Sequence, residues 1–325
     1  MLDLISIGDA TLDTFVKIND ASVMCTLEKE MCMLCLNYAD KIPIARLDQK
    51  VAGNALNNAV GSARLGLKVA LYTVLGNDDT AKRIMTRLEK EKISKKYVVV
   101  QKNSASNYSV VLNYKGERTL LVYHHPRKYD LPDIDKPRWI YYTSVWARGA
   151  GMLNRQLVAH VKHRHNFLAF NPGTYQIKQG LRALNHLFKV TDILFVNKEE
   201  AQSIVGNHPT MKKLMHGLKE HVPGRIVITD GSHGSYTYDG EKCYALPVFP
   251  AKLVEKTGAG DAYATGFIAA LARGRKAREA MRWGSANAAS VIEKIGPQDG
   301  LLTASDMRRR LGQSKAIQPK VLFRG

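Results

Sequence analysis

Short apolar runs closed by glycine alternate along this 325-residue chain with stretches whose apolar positions recur at helical spacing. The first run, Leu2-Asp3-Leu4-Ile5-Ser6-Ile7-Gly8, has the pattern of a buried strand in a parallel sheet. Between Thr14 and about Lys50 the text changes character. Alternating apolar stretches such as Met33-Leu34-Cys35-Leu36-Asn37-Tyr38, with no long amphipathic helix, predict an excursion of antiparallel strands. A helix follows over 54–66, with the small residues Ala55, Ala59 and Ala63 on one side, and then a strand over 69–76. Asp78-Asp79-Thr80 can cap the next helix, 81–91, in which Ile84, Met85 and Leu88 share a face. Two β-rich runs, 108–114 and 117–123, flank Lys115-Gly116 as a hairpin and belong with the first excursion in one accessory sheet.

The rest of the chain alternates strand and helix, with strand-like text at 139–143, 167–170, 193–196 and 225–229 and a helix over 154–163. Such alternation predicts a parallel sheet wrapped by helices. The expected fold is therefore α/β, an αβα sandwich on a mainly parallel sheet with a small β-sheet lid. Residues 1–13, 51–104 and 124–312 form the core, 14–50 and 105–123 the lid, and 313–325 a loosely patterned, partly disordered tail.

Composition narrows the class. A hydrophobic content of 45% is ordinary for a folded protein, and no uncharged apolar tract is long enough for a membrane span. Acidic residues from Asp3 onward interrupt the apolar start, so no secretory signal is read and the expected location is cytoplasmic. The 48 Lys and Arg against 29 Asp and Glu give a net charge of +19, a field that attracts anionic ligands. These basic residues are dispersed along the text and no nucleic-acid-recognition motif accompanies them, so nucleic acid is not the expected partner. Of four cysteines, Cys25, Cys32 and Cys35 crowd one segment. They read as small apolar side chains packed in a sheet, with metal or redox use of Cys32-Met33-Leu34-Cys35 and Cys25 as the alternative, and not as a disulfide framework.

The strongest local chemistry is in Thr257-Gly258-Ala259-Gly260-Asp261, a glycine-rich turn that opens an apolar helix. Glycines allow close backbone approach, and the first amides of a helix are unpaired and carry the positive end of its dipole, so the turn is an anion site. A carboxylate at its mouth can take a proton from a hydroxyl while those amides stabilise charge on a transferring phosphoryl group. About two hundred residues upstream, Ala52-Gly53-Asn54-Ala55-Leu56-Asn57-Asn58-Ala59 opens another helix. Neither a Gly-x-x-x-x-Gly-Lys-Ser/Thr loop nor a Gly-x-Gly-x-x-Gly fingerprint is present, which removes the main support for P-loop and dinucleotide-binding classes.

This pair of elements resembles the two signatures of the PfkB carbohydrate kinase family, ribokinase included, and the likeness extends over about Asp3 to Gly300. Gly76-Asn77-Asp78-Asp79, Gly116-Glu117-Arg118-Thr119, Asn197-Lys198-Glu199-Glu200 and Thr229-Asp230-Gly231-Ser232-His233-Gly234 follow in the family's order. The resemblance implies an ATP-dependent kinase that phosphorylates a hydroxyl of a small sugar of the ribose, fructose or 2-keto-3-deoxygluconate type. Asp261 would be the general base and the amides of Gly258, Ala259 and Gly260 the anion hole. It implies that Asp13, Gly53 and Asn57 line the sugar pocket, that Asn197 and Glu200 position Mg2+ through water, and that Thr229, Gly231, Gly234 and Asn287 border the nucleotide.

Glu255-Lys256-Thr257 stands where such proteins commonly carry Asp-Thr-Thr, which sets this chain apart at the family's monovalent-cation site. An inward Lys256 would supply a fixed charge there, and an outward one would be solvated. A nucleoside of the adenosine type is the alternative acceptor, with Tyr38, Tyr108 or Tyr123 available to stack on a base. A non-catalytic sugar- or nucleic-acid-binding protein on the same fold is the further alternative. The lid's exposed edge also predicts a homodimer.

Overall fold

The computed structural model describes residues 2–26 and 32–324; residues 27–31 of the expected lid, Met1 and Gly325 lie outside the described residues. Its centre is a ten-stranded sheet. In spatial order the strands are Lys320–Arg324, Lys242–Leu246, Ser235–Tyr238, Arg225–Thr229, Ile193–Asn197, Phe167–Phe170, Trp139–Tyr142, Leu4–Ile7, Val69–Leu75 and Val98–Val100. Neighbours from Arg225–Thr229 to Val98–Val100 pair in parallel, and the remaining three join antiparallel at one edge.

Both faces of the sheet are covered, as near-continuous apolar strands require. Successive residues go to opposite layers: Leu4, Leu71 and Tyr141 pack with the helices Asn54–Arg64, Ala259–Ala272 and Ala277–Val291. Ile5, Tyr72 and Tyr142 pack with Ala150–Arg164, Leu181–Phe188 and Met211–Lys219 on the other side. The result is the αβα sandwich expected from the alternating text.

A separate four-stranded sheet, in the order Ile44–Ala52, Thr11–Ile18, Asn107–Tyr114, Glu117–Tyr123, stands beside the first. Its hairpin turns at Lys115 and Gly116, both with positive φ (48° and 86°), the twist that two-residue hairpins favour. Asp78 caps the helix Asp79–Lys90 by accepting from Ala81 N at 2.9 Å, as its position predicts.

Two sequence expectations change. Cys25 and Cys32, expected as packed apolar residues, are disulfide-bonded across a small hairpin of Ser22–Cys25 and Cys32–Cys35, with Cys25 and Cys32 on its exposed part. The register that sets Cys25 opposite Cys32 brings their sulfurs together, a pairing that sequence spacing alone does not reveal. The loosely patterned tail ends in the strand Lys320–Arg324, whose backbone pairs with Lys242–Leu246 and extends the large sheet. Cys243 does pack as a small apolar residue, fully buried, with its thiol pushed up to about 12 by burial.

Candidate active site

The carboxyl ends of the parallel strands open into a cleft of about 420 Å³, the place where open α/β sheets bind ligands. The small sheet forms its roof. Along Glu117–Tyr123 and the residue after it, the period of two sends Arg118, Leu120, Val122 and His124 into the cleft. Leu121 and Tyr123, between them, face the opposite way and are exposed.

On the floor, the helix Ala259–Ala272 begins at Gly258, which has φ 80°. A Cβ there would lie 2.4 Å from Pro297 Cβ, so both the backbone and the neighbouring proline require glycine. Among the described residues the amides of Gly258, Gly260 and Asp261 donate to no protein acceptor. The amide of Ala259 is partly occupied, 3.4 Å from Lys256 O. Unpaired amides at the positive end of a fourteen-residue helix make the turn an anion cradle facing the cleft.

Asp261 lies in the first turn of that helix, only 7% exposed. Its Oδ2 accepts from Asn57 Nδ2 at 2.8 Å, and Asn57 is held in turn by Gln298 Nε2, which donates to Asn57 Oδ1 at 3.0 Å. Burial pushes the Asp261 carboxyl up to about 7; the Asn57 bond opposes that rise, and the charges of Glu200 and Asp13 add to it. Asn57 reaches this position because Gly53, with φ 103°, starts the helix Asn54–Arg64 directly against Asp9: a Cβ on Gly53 would lie 2.5 Å from Asp9 O.

Asp13, on the roof strand Thr11–Ile18, is also raised by burial, against the hydroxyls of Thr11 (2.7 Å) and Ser109. Asn197 and Glu200 form a reciprocal cap at the end of the strand Ile193–Asn197. Asn197 Oδ1 accepts from Glu200 N at 2.7 Å, and Glu200 Oε2 accepts from Asn197 N at 2.9 Å. Both line the cleft, burial raises the Glu200 carboxyl, and its second oxygen makes no hydrogen bond among the described residues.

The cleft thus gathers Asp13, Gly53, Asn57, Asn197, Glu200, Thr229 and the turn from Gly258 to Asp261. Gly231 and Gly234 form the turn just beyond Thr229 without lining it. Asn287 is not brought there. It is fully buried in the helix Ala277–Val291, where Nδ2 donates to Ala262 O (2.8 Å) and Oδ1 accepts from Leu302 N (3.0 Å), so its side chain clamps helices together.

Lys256 takes the outward alternative. Its Nζ pairs with the exposed Glu117 at 2.9 Å. The inward residue is Glu255, whose Oε1 accepts from Thr257 N (2.8 Å), from the Thr257 hydroxyl and from Arg118 Nη1 (3.1 Å). The fixed positive charge beside the turn therefore comes from Arg118 on the roof, 137 residues away in sequence. Tyr38, Tyr108 and Tyr123 do not line the cleft; Tyr175 does, with its ring edge-on to His124 at 5.7 Å. Gln298, Tyr175 and Arg118 carried no role in the sequence reading. The alternation of Arg118, Leu120, Val122 and His124 was the available signal for the last.

A buried carboxylate facing unpaired helix-N-terminal amides at the mouth of an α/β cleft is the equipment of a phosphotransferase that acts on a carbohydrate or nucleoside alcohol, and the relatives of this chain are of that kind. Residues 15–304 match the model of the pfkB family carbohydrate kinases, and the chain belongs to that family. It is 26% identical over 255 residues to an uncharacterized sugar kinase of Archaeoglobus fulgidus, covering 76% of this chain and 100% of that protein. It is 24% identical over 281 residues to a nucleoside kinase of Methanothermobacter thermautotrophicus, covering 86% and 90%. The crystal structure of the Methanocaldococcus jannaschii nucleoside kinase, an archaeal member of the ribokinase family, superposes with a TM-score of 0.77 at 20% identity, covering 96% of this chain and 99% of that one.

Proposed function

We propose that this kinase transfers the γ-phosphoryl group of ATP to a hydroxyl of a small sugar of the ribose, fructose or 2-keto-3-deoxygluconate type, with Asp261 as general base. One observation carries the reading: the carboxyl of Asp261 is buried, directed by Asn57, poised at about 7 and placed beside unpaired amides. A base with a pKa near the working pH combines availability with proton affinity. Asp261 takes the hydroxyl proton as that oxygen attacks phosphorus in line, and the amides of Gly258 and Gly260 stabilise the charge developing on the phosphoryl oxygens. Asp13 binds sugar hydroxyls, and Asn57 sets the orientation of the base. Thr229 and the turn at Gly231 and Gly234 lie on the nucleotide side.

Among the described residues no three His, Cys, Asp or Glu side chains gather around a direct metal site. Glu200, with one free oxygen, and Asn197 at the cleft would hold Mg2+, which keeps most of its water and binds through one carboxylate and substrate phosphates. Bound there, the ion would neutralise phosphate charge. Arg118 beside Glu255 supports turnover without a monovalent cation.

A nucleoside acceptor is the second reading, favoured by the Tyr175 and His124 rings and the apolar wall of Leu120 and Val122, which suit a base better than a lone sugar. The outward face of the roof, with Leu47, Leu121 and Tyr123 exposed, supports pairing with a second copy. Acceptor-dependent ATP consumption, screened across ribose, fructose, 2-keto-3-deoxygluconate and the common nucleosides, tests the proposal. Turnover with one of these is expected, and none with any would refute it.

A further inference from the structure

The net charge of +19 is unevenly placed, and the catalytic cleft does not account for it. From Lys136 to Thr191 the chain has no Asp or Glu and nine Lys or Arg, so these 56 residues contribute +9 and the other 269 contribute +10. The fold collects part of that charge along one groove. The helix Ala150–Arg164, the turn before it and the helix Leu181–Phe188 line a second cavity, of about 770 Å³, which shares no residue with the catalytic cleft. Arg155 and Lys162, seven residues apart, share one face of the helix, and Arg148, seven residues before Arg155 in the preceding turn, lines the same groove. His186 stands opposite, its pKa lowered first by burial and further by the Arg155 guanidinium.

All three cations are exposed, and none has an ion pair or hydrogen bond from its side chain among the described residues. Asp130 accepts from Gln156 and Asp133 acts on His160, both on the other flank of this helix. The row from Arg148 to Lys162 is about 21 Å long at 1.5 Å per residue.

We propose that this groove binds the phosphate backbone of a single-stranded nucleic acid. Three features select that class. A solvated cation adds little to an isolated ion pair, so cations spread along about 21 Å make a weak site for one small anion. The same row acts additively on a linear polyanion, through release of its condensed counterions. The surface is concave, which suits a strand lying between two helices and not a flat bilayer.

The test is fluorescence anisotropy of a fluorescein-labelled single-stranded RNA at 50 and 200 mM salt. With about three phosphate contacts and a logarithmic slope of about −0.7 per contact, affinity should fall about twentyfold over that range. The triple variant Arg148→Glu, Arg155→Glu, Lys162→Glu should lose the binding and its salt slope. The milder Arg148→Gln, Arg155→Gln, Lys162→Gln should lose most of it, with circular dichroism and acceptor-dependent ATP turnover unchanged in both. RNA binding by folded variants at parental strength would overturn the assignment. So would parental binding of phosphatidylserine vesicles or inorganic phosphate without binding of RNA.

Discussion

Asp261→Asn should stabilise the free enzyme at alkaline pH while disabling it. In the native state the carboxyl is raised from 3.8 to about 7, chiefly by burial. Between those values the folded protein holds a proton that the unfolded chain has released, so stability falls as pH rises through that window and the loss is complete above about 7. At 1.36 kcal/mol per unit, the full penalty on the ionised parent is about 4 kcal/mol. Asn has the same shape, carries no charge and can still accept from Asn57. The variant therefore lacks this penalty, and its advantage over the parent should widen by about 3 kcal/mol between pH 5 and pH 8, two units of the window. Comparing variant with parent at each pH cancels the similar slopes of Asp13 and Glu200, which burial also raises. Urea unfolding at the two pH values measures the gap. An advantage that is the same at pH 5 and pH 8 would refute the claim that Asp261 is held in a site that disfavours its charge.

Three further outcomes follow from the geometry. Asn57→Ala removes the hydrogen bond that lowers the Asp261 pKa, so the acid limb of the kcat/KM profile should move to higher pH, and an unmoved limb would show that Asn57 does not tune the base. Lys256→Ala breaks only an exposed pair with Glu117, worth about 1 kcal/mol at most, so turnover should stay within about fivefold of the parent with or without potassium; collapse would mean that Lys256 turns inward during catalysis. Leu121→Asp places a charge on the outward face of the roof, and size-exclusion chromatography should give a dimeric parent and a monomeric variant; a monomeric parent would dispose of the proposed pairing.

Local signals in the text correspond closely to the architecture where periodicity and turn chemistry agree. The 107–123 hairpin, the cap at Asp78 and the glycine turn at 258–260 are set by neighbours in sequence, and each stands where the text places it. What depends on long-range contact was not legible. Gln298 reaches Asn57 over 241 residues, and Arg118 reaches Glu255 over 137. Nothing local distinguishes Gln298 from a solvated side chain, and the alternation through Arg118, Leu120, Val122 and His124 marks one face of a strand without naming its partner. Asn287 departs in the other direction: only the family resemblance sets it beside the nucleotide, and its amide is spent inside the core. Cys25 and Cys32 needed the hairpin register to become partners. The charge reads as dispersed along the text because the groove that gathers Arg148, Arg155 and Lys162 opposite His186 is formed by two helices and the turn before one of them.

The central claim is that Asp261 removes the acceptor proton, and the most direct measurement is acceptor-dependent ATP turnover by Asp261→Asn, with acceptor and ATP binding followed by calorimetry. Turnover should drop by about 10²–10⁴-fold, the usual share of a general base, while both ligands bind nearly as they do to the parent. An Asp261→Asn enzyme that turns over at the parental rate would contradict the account.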